Sequence, residues 1–136
     1  MSDEAGSAEL LRFEARPSFE PQLVLRLVRR DGKPFSYALI CKTGGYGPQV
    51  GSWEIPLEKE ATESLITELA AIRLPLIAES AIGLDGTTYS LTITRGFNQV
   101  SLSWWGSPPG AWKSMGPLLE RLVSLAGPRA TGIRLW

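Results

Sequence analysis

Apolar and polar positions alternate along several short stretches of this chain, and each stretch predicts a strand with one buried face. Residues 10–16 alternate weakly and read as an edge strand. Residues 23–29 put Leu23, Leu25 and Leu27 on one face and Val24, Arg26 and Val28 on the other. Asp31-Gly32 is a hairpin signal, because both residues tolerate the backbone of a tight turn. Residues 35–42 then carry Phe35, Tyr37, Leu39 and Cys41 on a common face. Gly44, Gly45, Gly47 and Gly51 mark a loop leading into a short strand that ends at Trp53, Glu54 and Ile55. Residues 87–94 alternate most clearly, with Tyr89, Leu91 and Ile93 against Thr88, Ser90, Thr92 and Thr94. A two-residue turn at Arg95-Gly96 returns the chain through residues 97–105. That turn pairs Leu91 with Val100 and Tyr89 with Leu102 on one face, and Thr92 with Gln99 and Ser90 with Ser101 on the other.

Two stretches switch to helical spacing. Leu57, Ala61, Leu65, Leu69 and Ile72 recur along one helix face, with Pro56 opening the helix or its lead-in and Pro75 stopping it. Residues 111–126 place Trp112, Met115, Leu118, Leu119, Leu122 and Leu125 toward a core. Gly116-Pro117 offers a later start for that helix, because proline suits the first helical turn. Residues 76–84 read as a connection, residues 1–9 as a fraying tail, and residues 129–136 as a tail or a last edge strand. The expected fold is α+β: an antiparallel sheet of about five to seven strands with two helices on one face. The expected order is β-β-β-β-α-β-β-α, with the helix stripes buried against Tyr37, Leu39, Tyr89 and Leu91.

Residues 36–56 and 88–108 also read alike at an offset of 52. Tyr37 falls on Tyr89, Leu39 on Leu91, Gly44 on Gly96, Trp53 on Trp105 and Pro56 on Pro108. This reads as one strand-strand-helix unit used twice, over residues 35–74 and 86–126, within a single domain of 136 residues. Two copies are too few for a solenoid.

Composition narrows the chemistry. Lys+Arg and Asp+Glu both total 14, so the formal charge is zero, which removes the simplest electrostatic case for nucleic acid or an anionic membrane. No apolar run approaches the length of a membrane span, and the start of the chain lacks a basic, then apolar, leader. Cys41 is the only cysteine, so no intrachain disulfide forms, and the expected location is the cytoplasm. There is no histidine, which excludes Ser-His and Cys-His catalysis and the usual zinc sites. Asp31 and Asp85 precede turn glycines and are explained by turn chemistry. Glu14, Glu54 and Glu79 show no spacing for a carboxylate pair or metal site. The Gly44-Gly45-Tyr46-Gly47-Pro48 loop lacks the Lys-Ser/Thr ending of a phosphate-binding loop and reads as a hairpin connection. Cys41, on a core face without a base to activate it, reads as a buried thiol. Arg12, Arg16, Arg26, Arg29 and Arg30, interspersed with Glu14, Glu20 and Asp31, read as a mixed solvated face. No catalytic residue, cofactor or metal is expected.

The tryptophans are the remaining signal. Trp104 and Trp105 are strand neighbours and point to opposite faces. Trp104 joins the core, whereas Trp105 joins Ser103, Ser101, Thr88 and Thr92. The repeat places Trp53 like Trp105, so Trp53, Trp105, Ser103 and Thr92 are expected on the sheet face the helices leave uncovered. There they would form an uncharged aromatic surface for another protein. The opposing expectation packs each indole beneath the following proline and helix. Trp112 reads as core, and Trp136 either docks into its own domain or reaches another chain.

The second unit also carries a family pattern. Asp85-Gly86-Thr87-Thr88-Tyr89, then Gly96-Phe97-Asn98, Ser103-Trp104-Trp105-Gly106, Pro109 and Trp112, resembles a string that recurs in small uncharacterised bacterial proteins. The resemblance spans about residues 84–126. It implies a bacterial source and carries no activity, cofactor or site. The function expected from the sequence is a non-enzymatic interaction protein, such as an immunity-type inhibitor or adaptor. Its alternative is a small-molecule-binding or enzymatic domain with a pocket between sheet and helices. A third expectation is self-association through an exposed edge strand, with a homodimer as the simplest product.

Overall fold

Alternating side chains make half-buried strands, and the six strands among the described residues join one antiparallel sheet. The computed structural model describes residues 7–18, 22–44, 51–79 and 86–127. Its strands are β1 (Ser7–Pro17), β2 (Gln22–Arg30), β3 (Ser36–Gly44), β4 (Gly51–Leu57), β5 (Thr87–Arg95) and β6 (Asn98–Trp105). Helix α1 (Lys59–Ala71) follows β4, while β6 leads through a 3-10 segment (Gly110–Met115) into α2 (Gly116–Leu125). The first four strands form a meander, and β5 returns to the free side of β1, giving the order β4-β3-β2-β1-β5-β6. The fold is therefore α+β, as the alternation predicts.

Strand β1 is central, not an edge. Leu11, Phe13 and Ala15 are buried, paired with Leu27, Leu25 and Leu23 of β2 and with Ile93, Leu91 and Tyr89 of β5. Its alternation is weak because Leu10 and Leu11 are both apolar and the inward Ala15 is small, whereas Arg12, Glu14 and Arg16 fall regularly on the other face. The strand also starts earlier than expected, so Ser7, Ala8 and Glu9 belong to the sheet and not to a tail. Near that start a bulge at Leu10 shifts the register against β2.

Both helices lie on one side, over the face carrying Leu25, Leu27, Tyr37, Leu39, Cys41, Tyr89 and Leu91. From α1, Thr62, Leu65 and Leu69 are buried. Pro56 does not open that helix: it sits in β4 opposite Ala38. An edge strand tolerates a residue without an N–H, so the strand runs through the proline and α1 begins at Lys59. In α2 the buried residues are Gly116, Leu118, Leu119, Leu122 and Val123. Leu125, expected inside, is 36% exposed. The preceding 3-10 segment is wound more tightly than an α-helix, so one helical stripe does not extend from Trp112 to Leu125. Gly116 and Pro117 start the α-helical part, as the proline suggested.

A chain of rings ties the sheet to its cover. Phe13 stacks on Tyr89 at 6.0 Å, Tyr89 on Trp104 at 5.7 Å, and Trp104 meets Trp112 edge-on at 6.4 Å. Such pairs add about 0.5–1.5 kcal/mol each beyond the area they bury. The β5–β6 register differs from the expected one by two residues: Leu91 lies opposite Leu102, and Ile93 opposite Val100. The turn residues are Gly96 and Phe97, closed by the Arg95–Asn98 pair, not Arg95 and Gly96. Gly96 takes a φ of 61° at the first central position, where this kind of hairpin turn favours glycine. A shift of two leaves every side chain on its predicted face.

The far face carries an ionic lattice. Glu9 accepts from Arg12 and Arg26, Glu14 pairs with Arg16, and Glu54 takes both ends of the Arg30 guanidinium. Burial raises the Glu9 carboxyl, but the hydrogen bonds and charges of Arg26 and Arg12 outweigh it and hold it below its ordinary value. The Arg30 hydrogen bonds lower Glu54 against a slight opposing effect of burial. A carboxyl depressed in the folded state stabilises the protein above its unfolded pKa, and that contribution is lost as pH falls through the folded pKa. The melting temperature is therefore expected to drop as pH falls below the ordinary carboxyl value of 4.5. Glu9→Gln should make that fall shallower, and thermal melts across the acid range would show an unchanged slope if the Glu9 cluster contributed nothing.

Candidate functional site

The four residues expected to share a docking face divide between the two faces. Trp53 stands opposite Cys41, a core position, and is half-buried on the helix-covered side. Its indole N–H donates to the Ala126 carbonyl at the end of α2, at 3.0 Å. Trp105 stands opposite Thr88 on the uncovered face, with Ser103 opposite Ser90 and Thr92 opposite Ser101. The two tryptophans also lie on the two opposite edge strands, about 24 Å apart across five strand spacings. The paired hairpins explain the difference. Seven residues separate the paired Thr43 and Gly51, whereas two separate the paired Arg95 and Asn98. An ungapped alignment ignores this odd-numbered change in pairing register, so Trp53 falls on the wrong face. Tyr37 and Tyr89 do occupy matching core positions, on the strands second from each edge.

Trp105 is half-buried, with its indole lying over Gly86. A Cβ on Gly86 would sit 2.6 Å from the indole Cζ2. The Gly86 carbonyl accepts from the Ser18 backbone N–H and hydroxyl, both at 3.0 Å. Thr92 and Ser101 hydroxyls bond across the strands at 3.1 Å, and Ser90 donates to Glu14. The face that the described helices leave uncovered therefore changes along its width, from ion pairs and the buried Val28 and Ala38 on the inner strands to hydroxyls and one indole at β6.

Sequence reading missed the other side of that margin. Four of the five large exposed apolar side chains among the described residues lie in or beside β6: Leu76 (93% exposed), Ile77 (83%), Phe97 (fully exposed) and Val100 (57%). Leu76 and Ile77 lie in the connection after α1. The carbonyl of Pro75 in that connection accepts the Trp112 indole N–H at 3.0 Å. Between this connection and β6 runs an apolar groove of 430 Å³. Its floor includes Leu91, Ile93, Leu102 and Met115, and Arg95, Asn98 and Gln99 stand at one end. A second groove, of 530 Å³, continues past Ile77 and Glu79 to Ser103, Trp105 and Trp112. Val100 was legible as a core-face residue, but its exposure follows from β6 ending the sheet.

The carboxylates do not converge. Glu54 is on β4 and Glu14 on β1, each engaged with an arginine, and Glu79 lies in the connection after α1. Cys41 is fully buried in the core. The arginine-rich face is the mixed, solvated one expected, with Arg29 instead placed 5.6 Å from the Phe35 ring. Most of the Gly-rich loop, Glu20, Asp85 and Trp136 fall outside the described residues. No described helix is long and apolar enough to cross a membrane. Comparisons of the chain with protein-family models, with curated proteins and with solved structures found no match.

Proposed function

We propose that this chain is a non-enzymatic protein-interaction module that docks another protein along the β6 margin of its sheet. The observation that carries the reading is the concentration of exposed apolar side chains there, at Leu76, Ile77, Phe97 and Val100. Scattered apolar residues are ordinary on a surface, whereas exposed apolar side chains gathered at an edge strand favour association. Trp105, Ser103 and Thr92 extend the same margin onto the uncovered face. Trp53, bonded to Ala126 on the covered side, is not part of it. An adaptor or an immunity-type inhibitor in a reducing cytoplasm fits a neutral surface and a single buried thiol.

The test is affinity capture followed by reconstitution with the captured protein in purified form. Val100→Lys, at an exposed position, is expected to leave circular dichroism and melting unchanged and to weaken binding by about tenfold or more. Trp105→Ala is expected to weaken the same complex. Undiminished binding by folded Val100→Lys protein would remove the margin from the interface.

The 430 Å³ groove supports a second reading, a small ligand with an aliphatic body and an anionic end at Arg95. An aliphatic carboxylate that raises the melting temperature of the wild type, but not of Arg95→Gln, would favour this reading over docking of a protein.

A further inference from the structure

The two edges of the sheet are not alike. Strand β4 carries Glu54 and Pro56, a charge and a missing donor that discourage addition of another strand. Strand β6, Asn98-Gln99-Val100-Ser101-Leu102-Ser103-Trp104-Trp105, carries neither a charge nor a proline. As the last strand of the sheet it turns one row of backbone N–H and C=O groups away from β5. Among the described residues, one charge lies beside each of its ends. Arg95, on the helix side, stands where the strand begins, at the end of the first groove. Glu79, in the wall of the second groove beside Gly110, stands near where the strand finishes. Among the described residues neither has an ion-pair partner within its own chain.

We infer that β6 pairs antiparallel with β6 of a second copy of this chain, across a two-fold axis near Ser101 and Leu102. The inference rests on the docking role of this margin and names its partner. Charge complementarity selects that partner. A two-fold axis normal to the sheet exchanges the ends of β6 and keeps the helix side on the helix side. Asn98 and Trp104 are about 20 Å apart along the strand, and the axis lies near their midpoint. Arg95 of each copy is thereby brought to the end that holds Glu79 of the other, so the two opposite charges meet twice. The same operation sets Val100 of one copy beside Leu102 of the other on the helix side, which covers the open side of each groove. The result is a continuous twelve-stranded sheet with no charge repelling along the junction.

Sedimentation equilibrium of the full chain tests this. The wild type is expected at twice the chain mass of 14.8 kDa. Ser101→Lys places like charges beside the axis, at an exposed position of the uncovered face, and is expected to be a folded monomer. Arg95→Glu and Glu79→Arg are each expected to weaken dimerisation by about tenfold or more. The double reversal, Arg95→Glu with Glu79→Arg, is expected to restore it. A monomeric wild type, or a dimer indifferent to Ser101→Lys, or one that the double reversal does not restore, overturns the inference. If the wild type is monomeric while Val100→Lys still loses a captured partner, the dimer fails and the interaction module stands. An Arg95→Glu defect of ligand binding that Glu79→Arg leaves uncorrected would assign the groove to an anionic small molecule and overturn both.

Discussion

Trp104→Ala is expected to lower the unfolding free energy by about 3–5 kcal/mol, whereas Trp105→Ala, one residue along the strand, is expected to lower it by only about 1–2 kcal/mol. The composition of the two substitutions is identical, so the difference measures location. Trp104 is 6% exposed, between the Tyr89 ring of β5 and the Trp112 ring of the 3-10 segment. Removing it leaves a cavity where sheet and cover meet, which the surrounding rigid strands cannot close. Trp105 stands on the uncovered face, partly in solvent, with one neighbouring strand end beneath its indole. Urea unfolding of both variants measures the difference. Equal losses would mean that the face assignment of β6 is wrong, and with it the placement of the helices.

Gly86→Val is expected to cost about 2–4 kcal/mol, combining backbone strain with overpacking. Gly86 adopts a φ of 146°, a conformation that side-chain-bearing residues rarely take. Any Cβ there would also enter the Trp105 indole, at 2.6 Å from Cζ2 and 2.8 Å from Cε2. The residue cannot easily shift, because its carbonyl holds both the amide and the hydroxyl of Ser18 at the end of β1. A double-mutant cycle separates the two causes. Gly86→Val in a Trp105→Ala background keeps the strain and loses the collision, so its cost should be smaller by about 1–3 kcal/mol. Strict additivity would show that the indole does not rest on Gly86.

The same glycine illustrates how sequence and structure divide the explanation. Asp85-Gly86 was legible as a turn signal, and the following alternation as a strand. That Gly86 must also lack a side chain to seat an indole from β6 was not legible. The indole reaches it through pairing of Trp105 with Thr88, a contact between strands and not between neighbours in sequence. Trp53 shows the converse. Its residue type signalled importance, but its face depended on where the chain turns between Gly44 and Gly51, and alternation inside a strand says nothing about that count.

By itself the sequence determined which side chains of each strand point the same way, because a pleated strand has a fixed period of two. It also determined which stretches are helical, and that the chain holds no imidazole and a single thiol, too few for histidine-dependent catalysis or the usual zinc sites. Only the tertiary structure decided that β1 lies in the middle of the sheet, that β6 ends it, and that Leu76, Ile77, Phe97 and Val100 gather beside that end. The physical reason is one of range. Facing is set by bonds between adjacent residues, whereas strand order and exposure depend on which distant segment gains most by pairing. For β1 that segment begins at Thr87, and the choice leaves the neutral edge of β6 without a neighbouring strand among the described residues.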